Sequence, residues 1–170
     1  MTVSTCEILP ATPGDLSDIV RIEEACFSAP WTRKMLEAEL TGNQFAHFLV
    51  ARQEPVRVSE RASLVGYLCY WIVFEELRFM NLAVIESMRR RGIARSLVAA
   101  ALHAGATQSA VRAVLEVRSS NQAAQRLYRS FGFQEAGLRP QYYTRPLEDA
   151  VLMELAPIAP QPAPGSHANG

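Results

Sequence analysis

The most informative stretch of the chain, residues 82–97, reads LAVIESMRRRGIARSL. Apolar residues typical of a buried strand lead into a basic turn, and a helical pattern begins at Gly92. Backbone N–H groups at the start of a helix have no helical partner, and the helix dipole adds positive potential there. Gly92 and Ala94 are small enough to let an anion approach this backbone, and three arginines at 89–91 add positive charge. The pattern predicts a phosphate-binding turn between a strand and a helix.

Other phosphate-binding patterns are absent from the sequence. It contains neither the GxxxxGK[ST] loop of P-loop nucleotidases nor the GxGxxG loop of dinucleotide-binding folds. A solvated basic turn in front of an ordinary helix would carry the same residues as the stretch described above. The turn by itself therefore leaves both interpretations open, and the decision depends on the residues that follow it.

Later stretches carry side chains suited to acid–base chemistry. Residues 115–121, LEVRSSN, place Glu116 inside an apolar strand, where an unpaired carboxylate is costly to bury. Strand alternation puts Arg118 on the same side, so an outward-facing Glu116 fits the pattern equally well. Asn121 stands at the next helix start, where it either caps the helix or binds a ligand. Tyr128 lies on the apolar side of that helix, which is also the pattern of an ordinary core aromatic.

The remaining pattern predicts one layered, mixed α/β fold. We expect, in chain order, helices over 12–26 and 32–40, strands over 46–52, 64–74 and 77–84, a helix over 92–106, a strand over 111–117, a helix over 121–131, and strands near 137–143 and 150–155. The polar residues 53–62 are predicted to form a hairpin loop. Gly132 is predicted to end its helix in the left-handed conformation.

Two segments of different character are predicted. Residues 1–156 form a single domain, and residues 157–170 form a proline-rich, disordered tail. Proline cannot donate to a sheet ladder, and the tail is otherwise mostly small and polar. Deleting the tail is therefore expected to change neither stability nor turnover.

Composition excludes several classes of protein. The 170 residues have zero formal net charge, so no overall basic field attracts nucleic acid and no direct contact with it is expected. The cysteines, Cys6, Cys26 and Cys69, form no CxxC pair, which argues against a disulfide framework and against a zinc site. We find no signal-peptide pattern and no apolar stretch long enough to span a bilayer, so we expect a cytoplasmic protein that makes no contact with a membrane.

Taken together, these stretches resemble a known family. Residues 89–94, RRRGIA, match the R/Q-x-x-G-x-G/A motif of the GNAT acetyltransferases. More specifically, the chain looks like the RimI-type ribosomal-protein alanine N-acetyltransferases. That likeness is carried by LEVRSSN at 115–121, LY at 127–128, GF at 132–133, DAVLM at 149–153, PWT at 30–32 and YY at 142–143. It extends over about residues 8–155.

The resemblance implies a GNAT fold, in which a mixed central sheet with splayed middle strands is flanked by helices. It implies acetyl-CoA as cosubstrate and no metal. It assigns Glu116 as the base that accepts the amine proton, directly or through a water, and Tyr128 as the acid that protonates the coenzyme A sulfur. The implied cofactor-binding residues are Leu82, Ala83, Val84, Arg89, Arg90, Arg91, Gly92, Ile93, Ala94, Arg95 and Asn121.

Within this set the backbone of 82–84 is expected to hold the thioester carbonyl, and Asn121 to contact the pantetheine arm. Trp31, Tyr142 and Tyr143 are expected to contact the acceptor, although a place in the core would explain the same aromatics. The predicted reaction is acetylation of the N-terminal alanine of a small-subunit ribosomal protein. Another protein N-terminus, a lysine or a small amine stays open as the acceptor. A silent coenzyme A binder is disfavoured because Glu116 and Tyr128 are both present.

Overall fold

Seven strands and four helices form within the described residues, 6–55 and 62–159, of a computed structural model. The strands are β1 (Cys6–Pro10), β2 (Ala46–Gln53), β3 (Ser63–Val73), β4 (Glu76–Val84), β5 (Arg112–Arg118), β6 (Gln134–Thr144) and β7 (Leu147–Leu155). The helices are α1 (Leu16–Cys26), α2 (Arg33–Glu37), α3 (Ile93–Thr107) and α4 (Gln122–Ser130). Among these residues no helix has the length and apolar character needed to cross a membrane.

The strands form one sheet in the order β1-β2-β3-β4-β5-β7-β6. All neighbours are antiparallel except β4 and β5, which run parallel. Their pairing is confined to the start of each strand, where Glu76–Arg78 lie opposite Arg112–Val114. Beyond Arg78 the two strands diverge and leave a gap in the middle of the sheet. The prediction of a mixed sheet with splayed middle strands is therefore confirmed.

A β-bulge interrupts β4 shortly after the strands separate. Cys69 of β3 lies opposite Asn81, and Tyr70 lies opposite Phe79, so Met80 is the extra residue. A bulge bends its strand and increases the local twist. Because of the bulge, Met80 and Asn81 both face the α1 side of the sheet, whereas Phe79 faces the α3 side. The bulge therefore changes the direction of residues 81–84, the last residues of β4 before the basic turn.

Two apolar clusters cover the two faces of the sheet. The larger one, called the α3 cluster below, packs α3 and α4 on one face. It contains Leu97, Leu102, Leu115, Tyr128 and Phe133, among others. The smaller one, called the α1 cluster below, packs α1 and α2 on the other face. It contains Leu16, Ile19, Ile22, Leu36 and Tyr67, among others. Full burial of each large apolar side chain contributes about 1.5–3 kcal/mol. In α1, the buried apolar residues Leu16, Ile19 and Ile22 recur at helical spacing and form the side that packs on the sheet.

Several element boundaries differ from the predicted ones. The predicted second helix spans 32–40, whereas α2 ends at Glu37 and continues as a π-helical turn over Ala38–Gly42. The strand β1 was not predicted, because it is a short edge strand whose only partner, β2, lies far along the sequence. The predicted hairpin loop starts where β2 ends, and residues 56–61 of it lie outside the described part of the chain. Gly132 closes α4 with a φ of 98°, as predicted.

The start of the predicted tail packs on the domain. Ile158 is only 8% exposed and joins the larger apolar cluster. Its backbone N–H donates to the carbonyl of Val111, which precedes β5, at 2.9 Å. The prediction of disorder from residue 157 is therefore wrong at Ile158, where an isolated apolar side chain fills a gap beside β5. Residues 160–170 lie outside the described part of the chain, and their disorder stays a prediction.

Ile158→Ala is expected to lower the free energy of unfolding by about 2 kcal/mol, the lower end for truncating a buried isoleucine, because a chain end relaxes easily. Urea unfolding of the full chain measures it. Two truncations form the matched pair: a chain ending at Ala159 should keep the wild-type midpoint, and one ending at Ala156 should lose about as much as the substitution. Equal stability of both truncations would show that Ile158 does not dock.

Candidate active site

The basic turn between β4 and α3 has the backbone shape of an anion site. Arg90 and Gly92 adopt left-handed conformations, with φ of 61° and 78°. Gly92 is the N-cap of α3, and the first helical bond runs from the Ser96 N–H to the Gly92 carbonyl at 3.0 Å. The N–H groups of residues 93–95 therefore precede the first helical bond and have no helical partner. Left-handed residues in such a turn gather N–H groups into a concave nest that suits an anion.

The arginines of the turn divide into two kinds. Arg89 donates through Nε to the Val84 carbonyl at 2.9 Å and so ties the turn to the end of β4. Arg95 donates to Ser130 Oγ at 2.6 Å and lies over the Phe131 ring at 5.0 Å, which joins α3 to α4. Arg90 and Arg91 are exposed and direct their charge outward. A nest of N–H donors beside these arginines fits the diphosphate of coenzyme A.

Gly92→Glu is expected to weaken acetyl-CoA binding by at least about tenfold, which corresponds to about 1.4 kcal/mol. The added carboxylate repels the diphosphate. An added Cβ meets nothing within 4 Å, so the cost to the fold is the strain of a side chain at the left-handed φ of 78°, about 1–2 kcal/mol. Titration calorimetry measures the affinity. Gly92→Asn is the control, since asparagine tolerates a left-handed φ and adds no charge. Unchanged affinity of the glutamate variant would remove the turn from the site.

The backbone of residues 82–84, which is predicted to hold the thioester carbonyl, borders the gap between the splayed strands. Residues 82–84 continue to pair with β3, Gly66 lying opposite Val84. In an antiparallel pair alternate backbone groups point away from the partner strand. On that side β4 has lost β5 beyond Arg78. Alternate backbone groups of 82–84 therefore face the gap, where a carbonyl oxygen can reach them.

Glu116 lies on β5 just beyond the point where the strands separate. Its neighbours Leu115 and Val117 enter the α3 cluster, so by alternation Glu116 faces the opposite side of the sheet. Its side chain is 12% exposed, and its Oε1 is contacted by Arg78 at 3.2 Å and by Arg139 at 3.4 Å. No described residue donates a hydrogen bond to Oε2 or forms an ion pair with it. One oxygen is therefore anchored, and the other can accept a hydrogen bond from an amine or a water.

Tyr128 lies on the opposite face of the sheet from Glu116, within the α3 cluster. Its ring stacks on Phe79 at 6.2 Å and packs against Phe133 at 5.6 Å. The interpretation of Tyr128 as a core aromatic therefore holds for the ring. Burial raises the pKa of the Tyr128 hydroxyl well above its usual value near 10, and nearby Tyr143 raises it further. The hydroxyl is thus a proton donor throughout the physiological pH range.

Tyr143 interacts electrostatically with both the predicted base, Glu116, and the predicted acid, Tyr128. Its ring lies under the Arg118 guanidinium at 4.2 Å and meets the Tyr142 ring edge-on at 5.1 Å. Burial raises the pKa of Tyr143 to about 12, with smaller contributions from Tyr142 and Glu116, and Arg118 opposes the change. It also contributes to the raised pKa of Tyr128. Half-buried Tyr143 therefore lies within electrostatic range of both predicted catalytic groups.

A clamp that the sequence did not predict holds this tyrosine pair. Arg118 donates to the carbonyls of Arg145 and Pro146, each at 3.0 Å, in the turn between β6 and β7. Glu148 accepts from Arg118 at 3.3 Å and from the Ser120 N–H at 2.6 Å. Those bonds, the Ser120 one foremost, hold the pKa of the Glu148 carboxyl well below its usual range. The sequence signal for the clamp was the alternation of Arg118 with Glu116.

Trp31, Tyr142 and Asn121 are the remaining residues that were predicted to contact the acceptor or the cofactor. Trp31 is half-buried against the α1 cluster, and its backbone N–H donates to Glu23 Oε1 at 2.8 Å. Tyr142 is exposed, and Arg139 lies 5.8 Å from its ring. Asn121 Oδ1 accepts the Ala124 N–H at 3.1 Å, so it does cap α4. A contact of Asn121 with the pantetheine arm would therefore use its amide nitrogen.

Residues 16–133 match the Acetyltransferase (GNAT) family. The chain belongs to this family. The predicted enzyme class and the predicted acetyl-CoA cosubstrate are thereby confirmed. The matched region contains the basic turn, Glu116 and Tyr128, and it ends before Tyr142. In the part of the chain that the structure describes, no group of three or more His, Cys, Asp or Glu side chains is placed to hold a metal ion.

Individual relatives cover nearly the same range. A protein of Bacillus subtilis (strain 168) is 35% identical over 139 residues, 82% of this chain and 87% of its own length. The ribosomal protein bS18-alanine N-acetyltransferase of Salmonella typhimurium is 32% identical over 155 residues, 90% of this chain and 97% of its own. The crystal structure of the ribosomal-protein-S18-alanine N-acetyltransferase from Escherichia coli superposes with a TM-score of 0.79 at 27% identity, covering 91% of this chain and 95% of that one.

Proposed function

We propose that this enzyme transfers the acetyl group of acetyl-CoA to the α-amine of an N-terminal alanine on a small-subunit ribosomal protein, in the cytoplasm. The observation that carries the acceptor is the near full-length match to the Salmonella enzyme, whose name specifies that reaction. The match to the Escherichia coli structure supports it. The arrangement of side chains around the gap supports the chemistry.

The base is proposed to be Glu116 acting through Oε2. An α-amine has a pKa of about 7.7–8.0, so it is close to its titration midpoint near neutral pH and a modest base is enough to take its proton. Arg78 and Arg139 anchor Oε1 and fix the direction of the other oxygen. Glu116 faces the α1 side of the sheet, so the acceptor is proposed to approach from that side.

Bound acetyl-CoA supplies a thioester whose carbonyl carbon forms the new bond to nitrogen as the bond to sulfur breaks. The backbone of 82–84 is proposed to donate to the carbonyl oxygen, since N–H groups fixed in place stabilise charge that develops there. The basic turn at 89–95 is proposed to hold the diphosphate. These roles divide the end of β4 and the start of α3 between chemistry and binding.

The acid is proposed to be Tyr128. Its hydroxyl is protonated because burial raises its pKa, so it can donate to the departing sulfur. A free thiol has a pKa near 8.5, below that of the phenol. Hydrogen bonding that stabilises the thiolate is therefore the main contribution of Tyr128, and the sulfur takes its proton from water when coenzyme A leaves.

The acceptor is proposed to lie against Trp31, Tyr142 and Tyr143. Aromatic side chains suit an extended peptide with an apolar surface and a polar edge better than a small polar metabolite. Ser28 of the α1–α2 connection, which carries Trp31, donates to the Arg145 carbonyl at 2.7 Å, in the turn that follows Tyr142 and Tyr143 on β6. A lysine ε-amine, with a pKa near 10.4, would demand more of the base than an α-amine does.

Acetylation of a peptide panel tests the acceptor. The peptides share the residues that follow position 1 of the ribosomal protein and differ only in their first residue, and mass spectrometry reads the product. The alanine peptide is expected to react with the highest kcat/KM, and the same peptide with a blocked α-amine should not react. Faster acetylation of another first residue would replace the alanine assignment and leave the acetyltransferase in place.

A further inference from the structure

A buried carboxylate outside the proposed machinery joins three parts of the fold. Glu23, in the last turns of α1, is only 1% exposed. Its oxygens accept from the Trp31 N–H at 2.8 Å, from Asn81 Nδ2 at 3.0 Å and from the Tyr67 hydroxyl. No arginine, lysine or histidine among the described residues forms an ion pair with it. The donors come from the α1–α2 connection, from β4 and from β3.

Such a group is expensive to bury. An ionised carboxylate away from water is tolerated only when hydrogen bonds replace its hydration. Burial raises the pKa of the Glu23 carboxyl, and the bonds from Tyr67, Trp31 and Asn81 lower it in part. Each bond is therefore strong, and each fixes the element that carries the donor.

The elements that Glu23 fixes are those that border the reaction. Trp31 lies in the connection proposed to contact the acceptor. Asn81 directly precedes the backbone at 82–84, and it follows the β4 bulge at Met80, beyond the last pairing with β5. The end of β4 has no strand on its β5 side to hold it, so the Asn81 side chain supplies a support from the α1 side.

We propose that Glu23 is a positioning residue that couples the acceptor-binding loop at Trp31 to the free end of β4. The inference rests on the proposed active site, since it assumes that these two segments meet the acceptor and the thioester. Glu23 does not act as the base in this account, because its oxygens are occupied by three donors. Its effect is on the distance between the amine and the carbonyl, and misplacement of about 1 Å can cost about 10²-fold in rate.

Glu23→Gln tests the proposal, because it keeps the shape and gives the site an amide that must turn its NH2 toward another donor. We expect kcat/KM for the acceptor peptide to fall by about 10²-fold. Affinity for acetyl-CoA should not change, since the basic turn lies elsewhere. The pH profile of kcat should keep its wild-type shape, because Glu116 still acts as base. Glu24→Gln, one residue along and exposed, is the matched control and should behave as wild type.

A second substitution restores the hydrogen bonds with the charge moved across. In Glu23→Gln combined with Asn81→Asp, the Gln amide can donate to the new carboxylate and accept from Trp31. Tyr67, whose hydroxyl is 3.2 Å from Asn81 Nδ2, can donate to the carboxylate as well. The double variant is expected to recover most of the lost kcat/KM, so the two changes are strongly non-additive.

An unchanged kcat/KM in Glu23→Gln overturns the proposal, and so does a double variant that regains the wild-type melting temperature without regaining activity. A changed pH profile would make Glu23 a titrating participant and overturn its positioning role. If Glu23→Gln does not fold, Asn81→Ala removes only the β4 bond, and full acceptor activity in that variant overturns the proposal.

All comparisons are made against wild type with whichever amine wild type acetylates. If that amine proves to be other than an N-terminal alanine, the proposed acceptor fails while the Glu23 test proceeds unchanged.

Discussion

Glu116→Gln is expected to lower kcat by about 10²–10⁴-fold, the usual contribution of a general base. Glutamine keeps the length of the side chain and can still accept from Arg78 and Arg139 through its carbonyl oxygen. It cannot take a proton from the amine. Binding of acetyl-CoA should be unaffected, because Glu116 faces the α1 side of the sheet and the basic turn belongs to the start of α3.

The deficit of Glu116→Gln should depend on pH. An α-amine with a pKa of about 7.7–8.0 is mostly protonated below that value and mostly free above it. The variant should therefore lose most at about pH 6.5 and regain part of the difference at about pH 9. Steady-state kinetics across this range measure the effect. Glu135→Gln, on the exposed side of β6, is the control. A variant with near wild-type kcat at every pH would leave positioning alone as the source of catalysis.

Tyr128→Phe is expected to lower kcat by about 10²-fold, with little change in the affinity for acetyl-CoA. The ring packs between Phe79 and Phe133, and phenylalanine preserves that packing, so the loss comes from the hydroxyl. Stopped assays at saturating substrates give kcat, and calorimetry gives the affinity.

The sign of the pH effect at Tyr128 follows from its raised pKa. The protonated phenol is the active form and is present below its pKa, which burial places above the usual value near 10. Wild type should therefore show no loss of rate from Tyr128 titration up to about pH 9. Tyr70→Phe makes the same change at another buried tyrosine and should leave kcat intact. Equal losses in the two variants would assign the effect to packing.

Local chemistry explains what the sequence could predict. A phosphate-binding turn needs a strand end, a left-handed glycine and a helix start, and consecutive residues around Gly92 supply all of these. Glu116 stood out because a carboxylate interrupts an apolar strand, and Gly132 because a helix ends there. The class of fold followed from the order of such segments, and the family resemblance supplied the splay between β4 and β5.

Contacts between distant residues explain what it could not. The two arginines that anchor Glu116 come from β4 and β6, and nothing in their local pattern shows that strand register brings them together. In sequence, Ile158 belongs to a proline-rich segment, and only the structure shows that its N–H donates to the Val111 carbonyl. Glu23 resembles any glutamate near a helix end, because its donors lie 8, 44 and 58 residues away.

A competition between two peptides tests whether the enzyme acetylates an N-terminal alanine in preference to a lysine. One peptide begins with a free alanine followed by the ribosomal protein's own residues and has its lysines blocked. The other has a blocked α-amine and one free lysine. Both are offered in one tube with limiting acetyl-CoA, and mass spectrometry reads which is acetylated. We expect acetylation of the alanine peptide, with little product from the other. Preferential acetylation of the lysine peptide would contradict it.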